Sequence, residues 1–458
     1  MSDSREDTAR AIRDLAAWAV QTPASAIPRE VLARGVRVMA DDLAAIIGAR
    51  DEPEVKAFHE RLLGRARLAE ATVFRGGRRR TDRVSAAVAN AVAADWLELD
   101  EGYRITPCHA GLYVLPALLA EAEARNLAFG EMLRALVLGY EIVTRVARAW
   151  TQRAMNMQSH GRYCAVGPAA GVALARGADA RTLVDALGTA VTLTGPSPRN
   201  HLAEGILARN LWPASGAWAG SMALEWAECG IAGAPGAFFD VYSTVLGGEA
   251  HPARLTEGLG ARWAVEDGYT KIYACCQHLH SAVEAAVAMR GPLLARTSLE
   301  DIAAVRVETH ALALPLVNYR PDTTLGAKFS MPHAIAAAFV TGTGGAEAFA
   351  AGTLAEPAIG RLRERVTVAP WTGSLTPPND RPARVTVELR DGGRAEAECL
   401  SAAGGPDRPL PPETVFRKIS ALAAPVYPKM RPVFESLVSL PATRMDAGWA
   451  GIVSEFCD

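Results

Sequence analysis

Up to about Lys271 the apolar residues of this chain recur three and four positions apart; beyond it they begin to alternate. That change of period bounds the fold, because side chains repeat every 3.6 residues around a helix and every 2 along a strand. Helices are predicted over Thr8–Val20, where Ile12, Leu15, Ala16 and Val20 share a face, and over Pro28–Ile47, closed by Gly48. Further helices are predicted at Pro53–Leu63, Val84–Trp96, Glu131–Trp150 and Ala180–Leu193. Strands are predicted at Ile302–His310, at Arg365–Val368, and as a hairpin of Val385–Leu389 and Ala395–Cys399 turned by Asp391, Gly392 and Gly393. Ser330–Thr341 reads as helix, and helical spacing returns at Glu413–Leu422 and Pro432–Leu437, after the Pro/Gly-rich break Gly404–Pro412. The expected fold is mainly α: a large all-helical domain from 1–268 and 405–458, and a smaller α+β domain from 269–404.

Half of the 458 residues are apolar, enough for a large core, and the net charge of −2 argues against a dedicated nucleic-acid binder. No apolar run approaches the roughly 18 residues of a membrane span. The polar start MSDSREDTARAIRD does not read as a secretory signal. Seven scattered cysteines, an odd number, predict free thiols in a reducing cytoplasm.

Reactive side chains are densest in Lys271–Glu284, KIYACCQHLHSAVE, a loop feeding a helix. A lysine and histidines at a helix start favour a small anion. A metal is the rival, but Cys275, Cys276, His278 and His280 lack a C-x-x-C and a second ligand pair. A purely structural cap is the bland alternative. In Asp95–Pro116, the acids Asp95, Glu98, Asp100 and Glu101 crowd the end of a helix, and a turn with Gly102 leads to His109. They read either as a site held on a rigid scaffold or as helix caps. His160 precedes a small-residue helix and is a site candidate only in company. Arg209, just before another such helix, reads equally as an anion contact or a surface residue. The basic run Arg75–Arg83 reads as a solvated loop, and Glu141 with Arg145 as a structural i,i+4 pair.

Five stretches in order resemble the MmgE/PrpD family: LELDEGY with PCHAG, GYEIVTRV, SHGRYCAVGPAAGVALARG, KIYACCQHLHSAVEA and AKFSMPHAIAAAF. The family includes 2-methylcitrate dehydratase, cis-aconitate decarboxylase and iminodisuccinate epimerase. The resemblance implies a helical domain with an α+β lid, usually as a homodimer, and a site in the cleft between the two. It implies no metal and no organic cofactor. Carried over by position, the catalytic residues are His109, His160, Lys271 and Glu98, and the substrate-binding residues are Arg209, His280, Gly102 and Tyr319. The sequence departs from the family pattern in four places. Glu98 and Gly102 stand where the family has aspartate and threonine, Arg209 where it has lysine, and Glu284 where it has aspartate.

Removing a proton or a carboxylate beside another carboxylate piles up negative charge, which fixed cations must offset. Arginine grips carboxylates in a bidentate fork, and histidine exchanges protons near neutral pH. The first expectation is therefore a lyase that dehydrates or decarboxylates a small di- or tricarboxylate. An isomerase is the second, motivated by the hydroxyl that Gly102 lacks. A non-catalytic helical scaffold is the third.

Overall fold

Ala110–Arg125 reads AGLYVLPALLAEAEAR, apolar nearly all round, and from Ala110 to Glu123 every residue is buried. A helix with no polar stripe must be enclosed on all sides. In this computed structural model, which describes residues 2–152, 154 and 156–458, the helices Arg83–Ala94, Phe129–Arg148 and Val166–Ala175 enclose it. Phe129–Arg148 is itself buried from Met132 to Ala147, where the Glu141–Arg145 pair closes at 2.7 Å. The first helix begins at Ser2, ahead of its expected start, and runs to Gln21.

The basic run departs from its expected form. Arg79–Thr81 pairs antiparallel with Ala71–Val73. Arg78 and Arg80 reach the Glu123 carboxylate at 3.4 and 3.5 Å. A carboxylate buried at the end of the central helix needs partners. That demand turns part of the expected solvated loop into a hairpin.

After Lys271, a four-stranded sheet forms in the order Arg394–Cys399, Ala383–Leu389, Ile302–Thr309, Val366–Pro370. The first three strands run antiparallel, and Val366–Pro370 lies parallel to Ile302–Thr309. The alternation IAAVRVET buries Ile302, Val305, Val307 and Thr309. His280–Leu294 packs against the hairpin strands, and Met331–Thr341 lies against the parallel edge strand. Pro412–Ala423 and Met430–Val438 then pack on Arg29–Gly48 in the helical part, and Lys418 pairs with the buried Asp41 at 2.7 Å. A last helix, Trp449–Cys457, lies against Ala110–Arg125 and was not expected; nine residues give little periodicity to read. Among the described residues, no helix is long and apolar enough to cross a membrane.

Candidate active site

Asp95 ends the helix Arg83–Ala94, and the chain turns through Glu98 and Asp100 into a short strand, Gly102–Tyr103. That strand pairs with Gly268–Tyr269, setting Gly102 opposite Tyr269. Lys271 follows two residues later, so this ladder carries the lysine to the acidic turn. Gly404 secures the far side. Its carbonyl accepts from the Thr270 N–H at 3.0 Å, its φ is +111°, and a Cβ there would meet Thr270 O at 2.1 Å. Glu101 serves the scaffold: Asp42 accepts from its N–H at 2.8 Å, and its own carboxylate accepts from the Gly111 N–H at 2.6 Å, at the start of the central helix.

The remaining acids alternate with cations around a closed circuit. Asp100 Oδ2 lies 2.6 Å from His109 Nδ1, and Asp100 Oδ1 lies 3.1 Å from Lys271 Nζ. Lys271 Nζ is 3.3 Å from Glu98, whose other oxygen is 2.6 Å from Arg209 Nη2. Arg209 Nη1 is 2.6 Å from Asp95 Oδ2, which lies 3.1 Å from His160 Nε2. The rings of His160 and His109 close the circuit, with centroids 4.9 Å apart. Tyr113, on the central helix, meets His160 Nδ1 at 2.8 Å. Glu98 holds a φ of +53°, a backbone state that costs a non-glycine residue on the order of 1 kcal/mol or more and is found where a side chain must be aimed.

Burial works against charge on every member, and the neighbours decide the outcome. For Asp100, Lys271 and His109 outweigh burial and hold the carboxyl well below its ordinary range. Burial would lower Lys271 and Arg209, but Asp100 and Glu98 raise the lysine, and Asp95 and Glu98 raise the arginine. Both therefore stay cationic. Burial, with Arg209 and His109 adding to it, pushes His160 far down, so its ring is neutral. Burial raises Asp95 despite Arg209.

A cavity opens against this circuit, and Glu98, His109, Arg209 and Lys271 stand on its wall. His160 is fully buried behind His109 and is not on that wall, so it is a positioning residue. Three expected binding residues lie elsewhere. Gly102 is packed under the Tyr269 ring, where a Cβ would stand 2.2 Å from the phenol oxygen. The extended pairing of Gly102 with Tyr269 leaves no room for a side chain. His280 turns inward to the Cys275 carbonyl at 3.1 Å, because it begins the helix His280–Leu294 and packs on Tyr273. Burial, then Lys271, pushes its pKa to about 3. Tyr319 is 39% exposed and donates to Val366 O at 2.9 Å, bracing the edge strand. At that helix start it is the preceding turn that faces the cavity: Cys276, Gln277 and His278 line it. Among the described residues no cluster of three or more potential ligands is placed to hold a metal. The sequence reading raised Asp95 and Asp100 without carrying them into the site, weighed His278 only as a metal ligand, and missed Arg199 and Arg381 on the wall. The acidic spacing of Glu98 and Asp100 was a readable signal for the acids; the two arginines had none.

The profile of the MmgE/PrpD N-terminal domain matches residues 13–246, and that of the MmgE/PrpD C-terminal domain matches residues 273–438. A cis-aconitate decarboxylase-like protein, oryM, of Aspergillus oryzae is 25% identical over 91% of this chain and 91% of its own length. A cis-aconitate decarboxylase of Aspergillus terreus is 25% identical over 90% of this chain and 89% of its own.

Proposed function

The chain belongs to the MmgE/PrpD family, and from that premise we propose that it is a lyase that removes carbon dioxide or water from a small di- or tricarboxylate. The observation that carries the reading is the His109–Asp100 pair at 2.6 Å, beside Lys271 on a cavity wall. Asp100 fixes Nδ1, which leaves Nε2 as the atom to meet a ligand. In decarboxylation the bond to the departing carboxylate breaks, its electron pair stays on carbon, and carbon dioxide leaves. His109 then delivers a proton to that carbon, while Lys271 offsets the transient negative charge. In dehydration the same imidazole takes the α-proton and hydroxide leaves as water once protonated. Neither step as written calls on a cofactor. The names of the two fungal relatives favour decarboxylation. The isomerase reading loses its motive, since Gly102 is off the wall.

The test is incubation with cis-aconitate, citrate and 2-methylcitrate in heavy water, followed by NMR. Loss of carbon dioxide with one deuterium gained at carbon supports decarboxylation, and a new alkene with all carbons retained supports dehydration. Deuterium exchange with inversion and no group lost, or no change with any of the three, would overturn the lyase reading.

A further inference from the structure

The cations on the inner wall are already matched. Arg209 stands between Asp95 and Glu98, and Lys271 between Glu98 and Asp100, each acid within 3.3 Å. An incoming carboxylate would meet these cations with their charge offset and three carboxylates beside them. A polyanionic ligand therefore needs other cations, and the lining of the same cavity supplies them.

Arg199 and Arg381 line the cavity together with His278. Arg199 makes no salt bridge among the described residues. Arg381 donates to the neutral Gln277 side chain and to the Arg104 carbonyl at 3.3 Å. Its one acid is its chain neighbour Asp380, 3.7 Å from Nε, half exposed and shared with Arg104. His278 lines the cavity with the two arginines, and its Nδ1 is buried and has no hydrogen-bond partner. Burial, then Arg381, His310 and Arg199, holds that ring neutral, and burial lowers Arg381 where it could not lower Arg209. Two guanidinium groups with little compensation and an unpartnered imidazole nitrogen, facing one cavity, make a receptor for carboxylate oxygens.

We propose that Arg199, His278 and Arg381 form the carboxylate-recognition subsite of this cavity, holding the carboxylate remote from the reacting carbon, while the Asp95–Glu98–Asp100 circuit serves the chemistry. This rests on the lyase reading above and deepens it. The substrate carries at least two carboxylates, one held by the arginine pair and one placed at His109. The arginines come from separate segments, the loop before Asn200–Glu204 and the approach to the strand Ala383–Leu389. A ligand bridging both also ties the sheet-bearing part to the helical part.

Tricarballylate, a saturated tricarboxylate with no leaving group, is the probe, titrated by calorimetry into the protein and into Arg199→Gln, Arg381→Gln and Arg199→Lys. Thermal melts run in parallel report folding. The expected result is at least tenfold weaker binding in each glutamine variant with the melting temperature of the free protein kept. Arg199→Lys should recover part of the loss. Equal binding by the parent and both glutamine variants would overturn the subsite while leaving a polycarboxylate ligand in place. Absence of binding by the parent itself would overturn the polycarboxylate reading and the subsite together. Should one glutamine variant fail to fold, the other and the lysine variant decide the matter alone.

Discussion

Lys271 Nζ stands 3.1 Å from Asp100 Oδ1, and both side chains are about 1% exposed. The lysine arrives from the segment that leads into the sheet-bearing part, and the aspartate sits on the turn that closes a core helix. A buried ion pair of this kind is costly to assemble and more costly to break from one side. The pair couples the fold of the circuit to the charge at the cavity, and the following expectations derive from that coupling.

His109→Ala should lower kcat by about 10²–10⁴-fold, the usual worth of an acid/base side chain, with a smaller effect on KM. His160→Ala should also lower kcat, through displacement of the His109 ring. His160→Gln, which still offers polar atoms to Tyr113 and Asp95, should retain more activity than His160→Ala. Steady-state kinetics on the substrate found by NMR check both. Equal losses in the two His160 variants would contradict a positioning role.

Arg209→Ala should act first on folding. Removal of a guanidinium held between two buried carboxylates strips Asp95 of its cation and leaves Glu98 with Lys271 alone, a loss of about 3–5 kcal/mol. Urea denaturation of the parent and the variant measures it. A stable Arg209→Ala protein with only weakened ligand binding would show that the arginine is a substrate contact and not a member of the circuit.

Gly102→Ala should displace Tyr269, since the new Cβ would stand 2.2 Å from the phenol oxygen. Overpacking of this kind costs typically 1–3 kcal/mol. Tyr269→Ala in the same chain should restore part of the lost melting temperature. No recovery in the double variant would place the strain elsewhere.

The buried His280 should make stability depend on pH. Its pKa falls to about 3 in the folded chain, mainly through burial, against about 6.5 in the unfolded chain. Between these values the unfolded state binds the proton and the folded state does not. Stability from this group is therefore complete above about pH 6.5 and declines as pH falls toward 3, by about 1.4 kcal/mol per pH unit. Urea denaturation at pH 7.5, 5.5 and 4.5 should show a shallower decline in His280→Gln than in the parent.

Much of the circuit was legible as residues but not as partners. Glu98, His109, His160, Lys271 and Arg209 all stood out in the sequence, and the structure brings them together. Which of them touch a ligand was not readable. His160 and His109 look alike in sequence, yet only His109 lines the cavity, because Tyr113 on the central helix holds His160 behind it. His280 drew notice over His278, yet the first turn of its helix points it to the Cys275 carbonyl, and the turn before places His278 on the wall.

Local periodicity determined the elements by itself: 3.6-residue spacing for the core helices, alternation for Ile302–Thr309, and a Gly-Gly turn for the hairpin. These signals are carried by neighbours in the chain, so a sequence displays them. The two-residue ladder of Gly102–Tyr103 with Gly268–Tyr269 has no such signal. It joins segments more than 160 residues apart, and it is what brings Lys271 to Asp100. Nor does the chain mark Arg199 and Arg381 as unmatched cations. Whether a charge is free or neutralised depends on which carboxylates the fold sets beside it and how far burial removes water from between them, and that only the tertiary structure decided.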